Sequence, residues 1–250
     1  MIDFAALSPW LLLVAPIAMV LGYVVFGLTG FGATAVSVPL LAHFLPVTFL
    51  VPMVALIDLG SAIAVGSAGR AHLSKGELKR LLPWMFLGFF LGVTVLVGVP
   101  ERHLRLALGV FAALIGLYGI FNPRLVHTIS GLWAVPAGIV GGSIATIFGA
   151  GGPVYAAYLS GRLADKSQIR STVATIISIS ALVRALLYAA TGLLLHVAIF
   201  AGAVGLAPFA WAGLKIGHRI HLGLSQEQMR RCVGALLVLI GMSLLVRALP

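Results

Sequence analysis

The chain has 250 residues, of which 61% are apolar and 9% charged, and its formal net charge is +10. A soluble domain carries about 25% charged residues, so sixteen Lys/Arg and six Asp/Glu cannot cover a water-exposed surface of this size. A soluble enzyme, a disordered chain and a coiled coil are excluded, and an all-α polytopic membrane protein remains.

In chain order, residues 4–69 hold a single ionised side chain, Asp58. As helix they would run about 99 Å, roughly three crossings of a ~30 Å hydrocarbon layer. Breaks at Gly27–Gly32 and at Pro46 divide them into a full span near 9–28, a short one near 33–45 and a full one near 47–69. No Lys or Arg precedes Arg70, so the basic start of a cleavable signal is missing and the first segment is expected to stay as a span. Residues 81–100 and 106–121 each predict one span. Residues 128–161 have room for two, broken at Gly149-Ala150-Gly151-Gly152-Pro153, the second again short, about 153–161. Residues 171–214 hold two, with a break at Gly192 and His196, and 232–246 the last. The expectation is ten segments, two of them short.

The charges test this count. If all ten segments cross, the loops near 70–80, 122–128, 162–170 and 215–231 share one side and carry twelve of the sixteen Lys/Arg. The opposite side receives Arg102, Arg105 and Arg247, and Arg184 lies inside a span. Cytoplasmic loops concentrate Lys and Arg, so both termini are expected outside the cytoplasm. The same rule accounts for the basic excess without nucleic acid, for which no soluble basic module exists. The single cysteine, Cys232, excludes an intrachain disulfide and a thiolate metal cluster, and it is expected to pack.

Placing Gly30 on Gly149 also places Gly32 on Gly151, at an offset of 119 residues. Each half then reads span, short span, span, span, span: residues 1–122 form one five-segment repeat and 123–250 a second, within one membrane domain. Five is odd, so the second repeat starts on the other side of the membrane and is inverted. Short, Gly/Pro-interrupted helices at matching positions of inverted repeats point to a secondary transporter's binding site. A helix that begins inside the bilayer leaves N–H groups unpaired, and these with the helix dipole favour an anion. Glycine tolerates the turn and a close ligand, and Pro153 suits a first helical turn. The pairs Gly88/Gly92 and Gly138/Gly142 are read instead as packing.

G-F-G-A-T-A-V-S-V-P-L-L (Gly30–Leu41), F-G-A-G-G-P-V-Y-A-A-Y-L-S-G-R (Phe148–Arg162) and R-A-L-L-Y-A-A-T-G-L-L (Arg184–Leu194) resemble the TauE/SafE family of bacterial membrane proteins. The resemblance covers essentially the whole chain. It implies an anion transporter of the bacterial cytoplasmic membrane, associated with export of sulfite and organosulfonates.

Ionisable groups inside a membrane are expensive and are functional candidates by default. Arg184 is read either as counter-charge for an anionic substrate, its fork gripping two oxygens, or as the structural partner of Asp58. Asp58 is correspondingly a proton-coupling carboxylate or that partner. The expected substrate site is Thr29, Gly30, Gly32, Thr34, Gly149, Gly151, Gly152, Pro153 and Arg184. Ser37, Ser143 and Thr146 also flank the breaks, where a hydroxyl can serve an oxyanion or bond back to its own helix; Tyr155 and Tyr158 are expected to pack. No H-x-x-x-H or H-E-x-x-H pattern and no G-x-x-x-x-G-K-[ST] loop occurs, so neither a metal nor a nucleotide cofactor is expected. The reading is a secondary transporter, not an enzyme, whose partners are a small sulfur-containing oxyanion and the lipid bilayer; a homo-oligomer is compatible with it. Its rivals are a transporter of another small anion or a neutral sulfur compound, an anion channel, and an intramembrane enzyme.

Overall fold

The computed structural model describes residues 9–30, 32–65, 72–121, 129–219 and 226–248. They form ten α-helices: α1 (Pro9–Thr29), α2 (Ala33–Leu41), α3 (Val47–Val65), α4 (Lys75–Gly98), α5 (Glu101–Phe121), α6 (Ala134–Phe148), α7 (Gly152–Ser160), α8 (Lys166–Ala190), α9 (Val197–Arg219) and α10 (Gln226–Ala248). α1, α4, α5, α8, α9 and α6 with the 3-10 turn ahead of it are long and apolar enough to cross a membrane, and α3 supplies a shorter apolar stretch, Val47–Ser61. α2 and α7 have nine residues each, about 14 Å of helix against a ~30 Å layer.

The expected segments are present with their ends displaced. Spans expected to begin at 81, 106, 171 and 232 begin at Lys75, Glu101, Lys166 and Gln226. A charge-free count stops at the first ionised side chain, whereas helical hydrogen bonding continues wherever that charge is solvated or paired. Asp165 starts α8 by accepting a 2.9 Å bond from the Ser167 N–H, an N-cap two residues ahead of its donor.

Each short helix folds back on the helix before it. A methyl group placed on Gly22 would come within 2.6 Å of the Ala33 carbonyl oxygen, and one on Gly141 would strike the Tyr155 ring. Those glycines are 119 residues apart, as are the starts of α2 and α7 and of α3 and α8. The expected boundary at Asn122-Pro123 lies outside the described residues.

Packing runs between the halves. α1 lies on α9, α4 on α6, α5 on α10 and α3 on α8. Lipid gives helices no hydrophobic reason to associate, so close van der Waals approach at small residues has to hold them. Gly27 meets Gly217, Gly88 meets Gly142 and Gly116 meets Gly234; a methyl on any of them would lie 3.1 Å or less from the partner's backbone. Gly92 and Gly138 belong to the same α4–α6 seam, so both G-x-x-x-G pairs are packing elements. Trp10, Leu12, Phe90, Leu186 and Val204 are exposed, as an outer face turned to lipid requires. Cys232 is exposed as well, contrary to the expectation that it packs. α10 turns Gly234, Leu237, Gly241 and Leu244 inward, and at 3.6 residues per turn that stripe leaves position 232 outside.

Candidate functional site

The centre of the molecule holds a charged pair. Asp58 on α3 and Arg184 on α8 meet at 3.1 Å (Oδ2 to Nη2), with side chains 11% and 2% exposed. Tyr23 on α1 donates to the other carboxylate oxygen at 2.8 Å. Arg184 also donates to the Ala145 carbonyl at 3.1 Å from Nη1 and to Ser180 at 3.4 Å from Nε. Three of its five N–H donors are thereby engaged. Between the two sequence readings of Arg184, this geometry makes the ion pair with Asp58 a fact of the structure.

The pair sits against the second glycine break. Gly149 closes α6 in the left-handed conformation (φ +75°), which an L side chain adopts only under strain. A methyl there would stand 3.2 Å from Arg184 Nη1 and 2.8 Å from Thr34 Cγ2. The Thr34 hydroxyl, in the first turn of α2, donates to the Gly149 carbonyl at 2.5 Å, and Tyr188 donates to Thr146 at 2.5 Å. The last carbonyls of a helix lack intrahelical partners and carry its negative end. At the end of α6 the carbonyls of Ala145, which also takes the Gly149 N–H, of Thr146 and of Gly149 are met by Arg184, Tyr188 and Thr34. The guanidinium is thus balanced by Asp58 on one side and by a helix C-terminus on the other.

Of the expected site residues, the fold brings Thr34, Gly149, Arg184 and Asp58 together. Thr29 ends α1, and its side chain lies outside the described residues. Gly30 (φ +83°) lies instead beside Arg170, whose Cγ and Nε are 3.5 Å from where a Cβ would stand. Gly32 is left-handed (φ +95°) ahead of α2, with Val25 its nearest neighbour. Gly151 is right-handed (φ −69°), so no left-handed turn occurs there. A methyl on it would come within 2.6 Å of the Gly141 carbonyl and 2.8 Å of Ala145 Cβ, which makes the space at Gly151 one of helix packing. Gly152 and Pro153 open α7. Ser37 and Thr146 bond back to Ala33 and Gly142, four residues earlier, whereas Ser143 crosses to the Gly88 carbonyl.

A second charged cluster escaped the sequence reading. Glu77, near the start of α4, has a side chain only 7% exposed. It accepts from Tyr158 at 2.5 Å, from Arg162 at 2.8 and 3.1 Å, and from Arg80 at 2.9 Å. Arg162 also donates to the Ile129 carbonyl. The cluster ties α4 to the end of α7 and to the turn before α6. Tyr158 therefore does more than pack, while the buried Tyr155 hydroxyl has no hydrogen-bond partner among the described residues. Tyr23 and Tyr188 were missed too. For Tyr188 a signal existed, since it stands four residues after Arg184 and so shares its helix face.

The family model for the sulfite exporter TauE/SafE matches residues 14–244. The chain belongs to the TauE/SafE family. It is a membrane transporter family, and the resemblance drawn from the glycine motifs is thereby established over nearly the whole chain. Among curated proteins it is similar to the probable inner membrane transporter protein TsaS of Comamonas testosteroni, 23% identical over 193 residues, which are 77% of this chain and 81% of that one. No solved structure matches it.

Proposed function

We propose that this TauE/SafE member is a secondary transporter that exports small sulfur-containing oxyanions, sulfite or a short organosulfonate, across a bacterial cytoplasmic membrane. The observation that carries the reading is a buried guanidinium held against a helix break. Arg184 lies beside Gly149, where Thr34 of the other short helix also converges, and a planar fork of this kind can take two oxygens of one anion. The oxyanion replaces Asp58 at the guanidinium, and Asp58, relieved of its partner, is the group available for proton coupling. Family membership and the word inner membrane in the relative's name support the membrane and the transport class.

In this reading the two halves are repeats of opposite orientation, supported by the common 119-residue offset of α2/α7 and α3/α8 and by the packing of each first helix on the other half's fourth. The basic loops face the cytoplasm and both termini the periplasm. Arg170 beside Gly30 stands about 21 Å along α8 from Arg184, at 1.5 Å per residue, and receives the anion from the cytoplasmic side. Rocking of one part of the repeat pair against the other then exposes the central site alternately.

The test is efflux and counterflow in proteoliposomes. Sulfite or a short alkylsulfonate loaded inside is expected to leave faster when the same anion is present outside, a behaviour of carriers that simple pores lack. Efflux without trans acceleration would replace the carrier by a channel, and no movement of any sulfur oxyanion would discard the substrate class.

A further inference from the structure

The two short helices are held differently at their outer ends. α7 runs from the break beside Arg184 to the loop at 161–165, and its far end is tied both to α4 and to the segment ahead of α6. The buried Glu77 carboxylate of α4 takes the Tyr158 hydroxyl on one oxygen and Arg80 and Arg162 on the other. Arg162 donates to the Ile129 carbonyl at 2.9 Å, and the Ile129 N–H donates to the Gly161 carbonyl at 2.9 Å. Both backbone groups of Ile129 are thereby spent on the end of α7.

The 119-residue offset puts His43 where α7 is followed by Arg162, His196 where α4 has Glu77, and Trp10 where Ile129 stands. His43 reaches the Ser243 hydroxyl of α10 at 3.0 Å and otherwise turns back on the Pro39 and Leu40 carbonyls of its own helix. His196 and Trp10 are exposed. Glu101 accepts from the Val47 N–H and so holds the start of α3 rather than α2. Among the described residues, one short helix thus ends in a buried carboxylate with two arginines, and the other in a histidine–serine hydrogen bond.

The tie also decides what covers the way to the centre. Tyr155, Tyr158 and Leu159 of α7 share one buried core with Val173 and Ile176 of α8 and with Leu81 and Met85 of α4. Val173 and Ile176 stand on α8 between Arg170 and Arg184, so with α7 packed on them an anion at Arg170 has no open path along that face. We propose that Glu77, Arg162 and Tyr158 form a latch that shuts the cytoplasmic side, and that the protein at rest is closed to the cytoplasm and opens more readily toward the periplasm. Release of the latch frees the outer end of α7 while its inner end stays at the break, and α8 is uncovered down to Arg184. The inference rests on the transport reading for the need to open and for which side is the cytoplasm.

Pulsed dipolar EPR on the full chain in nanodiscs tests this, in a Cys232→Ala background and without substrate. One spin-label pair, Lys79→Cys with Ala164→Cys, spans the latch. A second, Phe44→Cys with Val246→Cys, spans the His43–Ser243 contact, and all four positions are exposed. The parent is expected to hold a short distance across the latch and to sample longer ones across the other pair. Glu77→Gln leaves Arg162 without its counter-charge and is expected to raise the population of longer Lys79–Ala164 distances at least tenfold. Because a carrier that opens on one side closes on the other, the longer Phe44–Val246 distances are expected to be depleted in the same variant. Tyr158→Phe keeps the carboxylate and both arginines; it is expected to move both pairs the same way by less, and it decides the matter if Glu77→Gln fails to fold. A cluster that only stabilises the fold would broaden the first distance and leave the second alone. That result, or two unmoved distances in a folded variant, overturns the proposal. Distances that shift together in a protein moving no sulfur oxyanion leave the latch and remove the substrate class; sulfite efflux with both distances fixed does the reverse.

Discussion

Arg184→Gln separates the two roles of the buried arginine when it is paired with Asp58→Asn. The single change leaves the Asp58 carboxylate, whose side chain is 11% exposed, with the Tyr23 hydroxyl and no counter-charge. Breaking a buried pair in this way costs about 3–5 kcal/mol. In the double variant no charge is stranded. What is lost are the bonds to Ala145 and Ser180, about 1 kcal/mol each, and Ala145 keeps its bond from the Gly149 N–H. The double variant is therefore expected to recover about 2 kcal/mol or more relative to Arg184→Gln, a coupling within the usual range for contacting residues. Unfolding in mixed micelles measures this, and sulfite efflux from proteoliposomes is read on the same preparations. Arg184→Gln is expected to be less stable and inactive; the double variant is expected to lie between it and the parent, about 2 kcal/mol below the parent for the two lost bonds, and still inactive, because the anion has lost its counter-charge. A double variant that transports at the parent's rate refutes Arg184 as the substrate's ligand. A single variant as stable as the parent refutes the energetic reasoning for the pair.

Three further outcomes follow from the geometry. Thr34→Val removes the bond to Gly149 at about 1 kcal/mol; it is expected to fold and to lose most of its transport, and full transport would take Thr34 out of the site. Gly151→Ala forces a methyl to 2.6 Å from the Gly141 carbonyl, so the purified yield and the unfolding midpoint should fall, and a normally folded Gly151→Ala would contradict the packing role. Single cysteines at Ser74 and Gln226 in a Cys232→Ala background are expected to resist an impermeant external label in intact cells; ready labelling of both would invert the proposed orientation.

How far the sequence reaches is clearest at the breaks. Asp58 and Arg184 stood out because an apolar chain makes each ion conspicuous, and the nine-residue helices because glycine and proline punctuate both motifs. The pairing of these two ions was one of two readings of the sequence, and the choice between them, across 126 residues, is a tertiary fact with no local signal. Glu77 was hidden for a related reason. It lies among Lys75, Lys79 and Arg80, where a carboxylate reads as part of a solvated loop, and only the return of α7 places Tyr158 and Arg162 on it. Gly22 and Gly141 looked like any glycine in a membrane helix; their close approach to α2 and α7 depends on the hairpins that the breaks create.

The offset that aligns the halves also shows where they part. Advancing Gly30 by 119 residues gives Gly149, and both are left-handed. Advancing Gly32 gives Gly151, which is right-handed. The charges are not duplicated at all: the counterpart of Asp58 is Ile177 and that of Arg184 is Val65. On the proposed repeat, the backbone frame is therefore built twice and the chemistry once. On the proposed transport reading, two breaks of unlike detail in one frame open to either side, and the single guanidinium beside the second is the ligand that both openings reach. One charge in a doubled frame is what a carrier of one small anion requires.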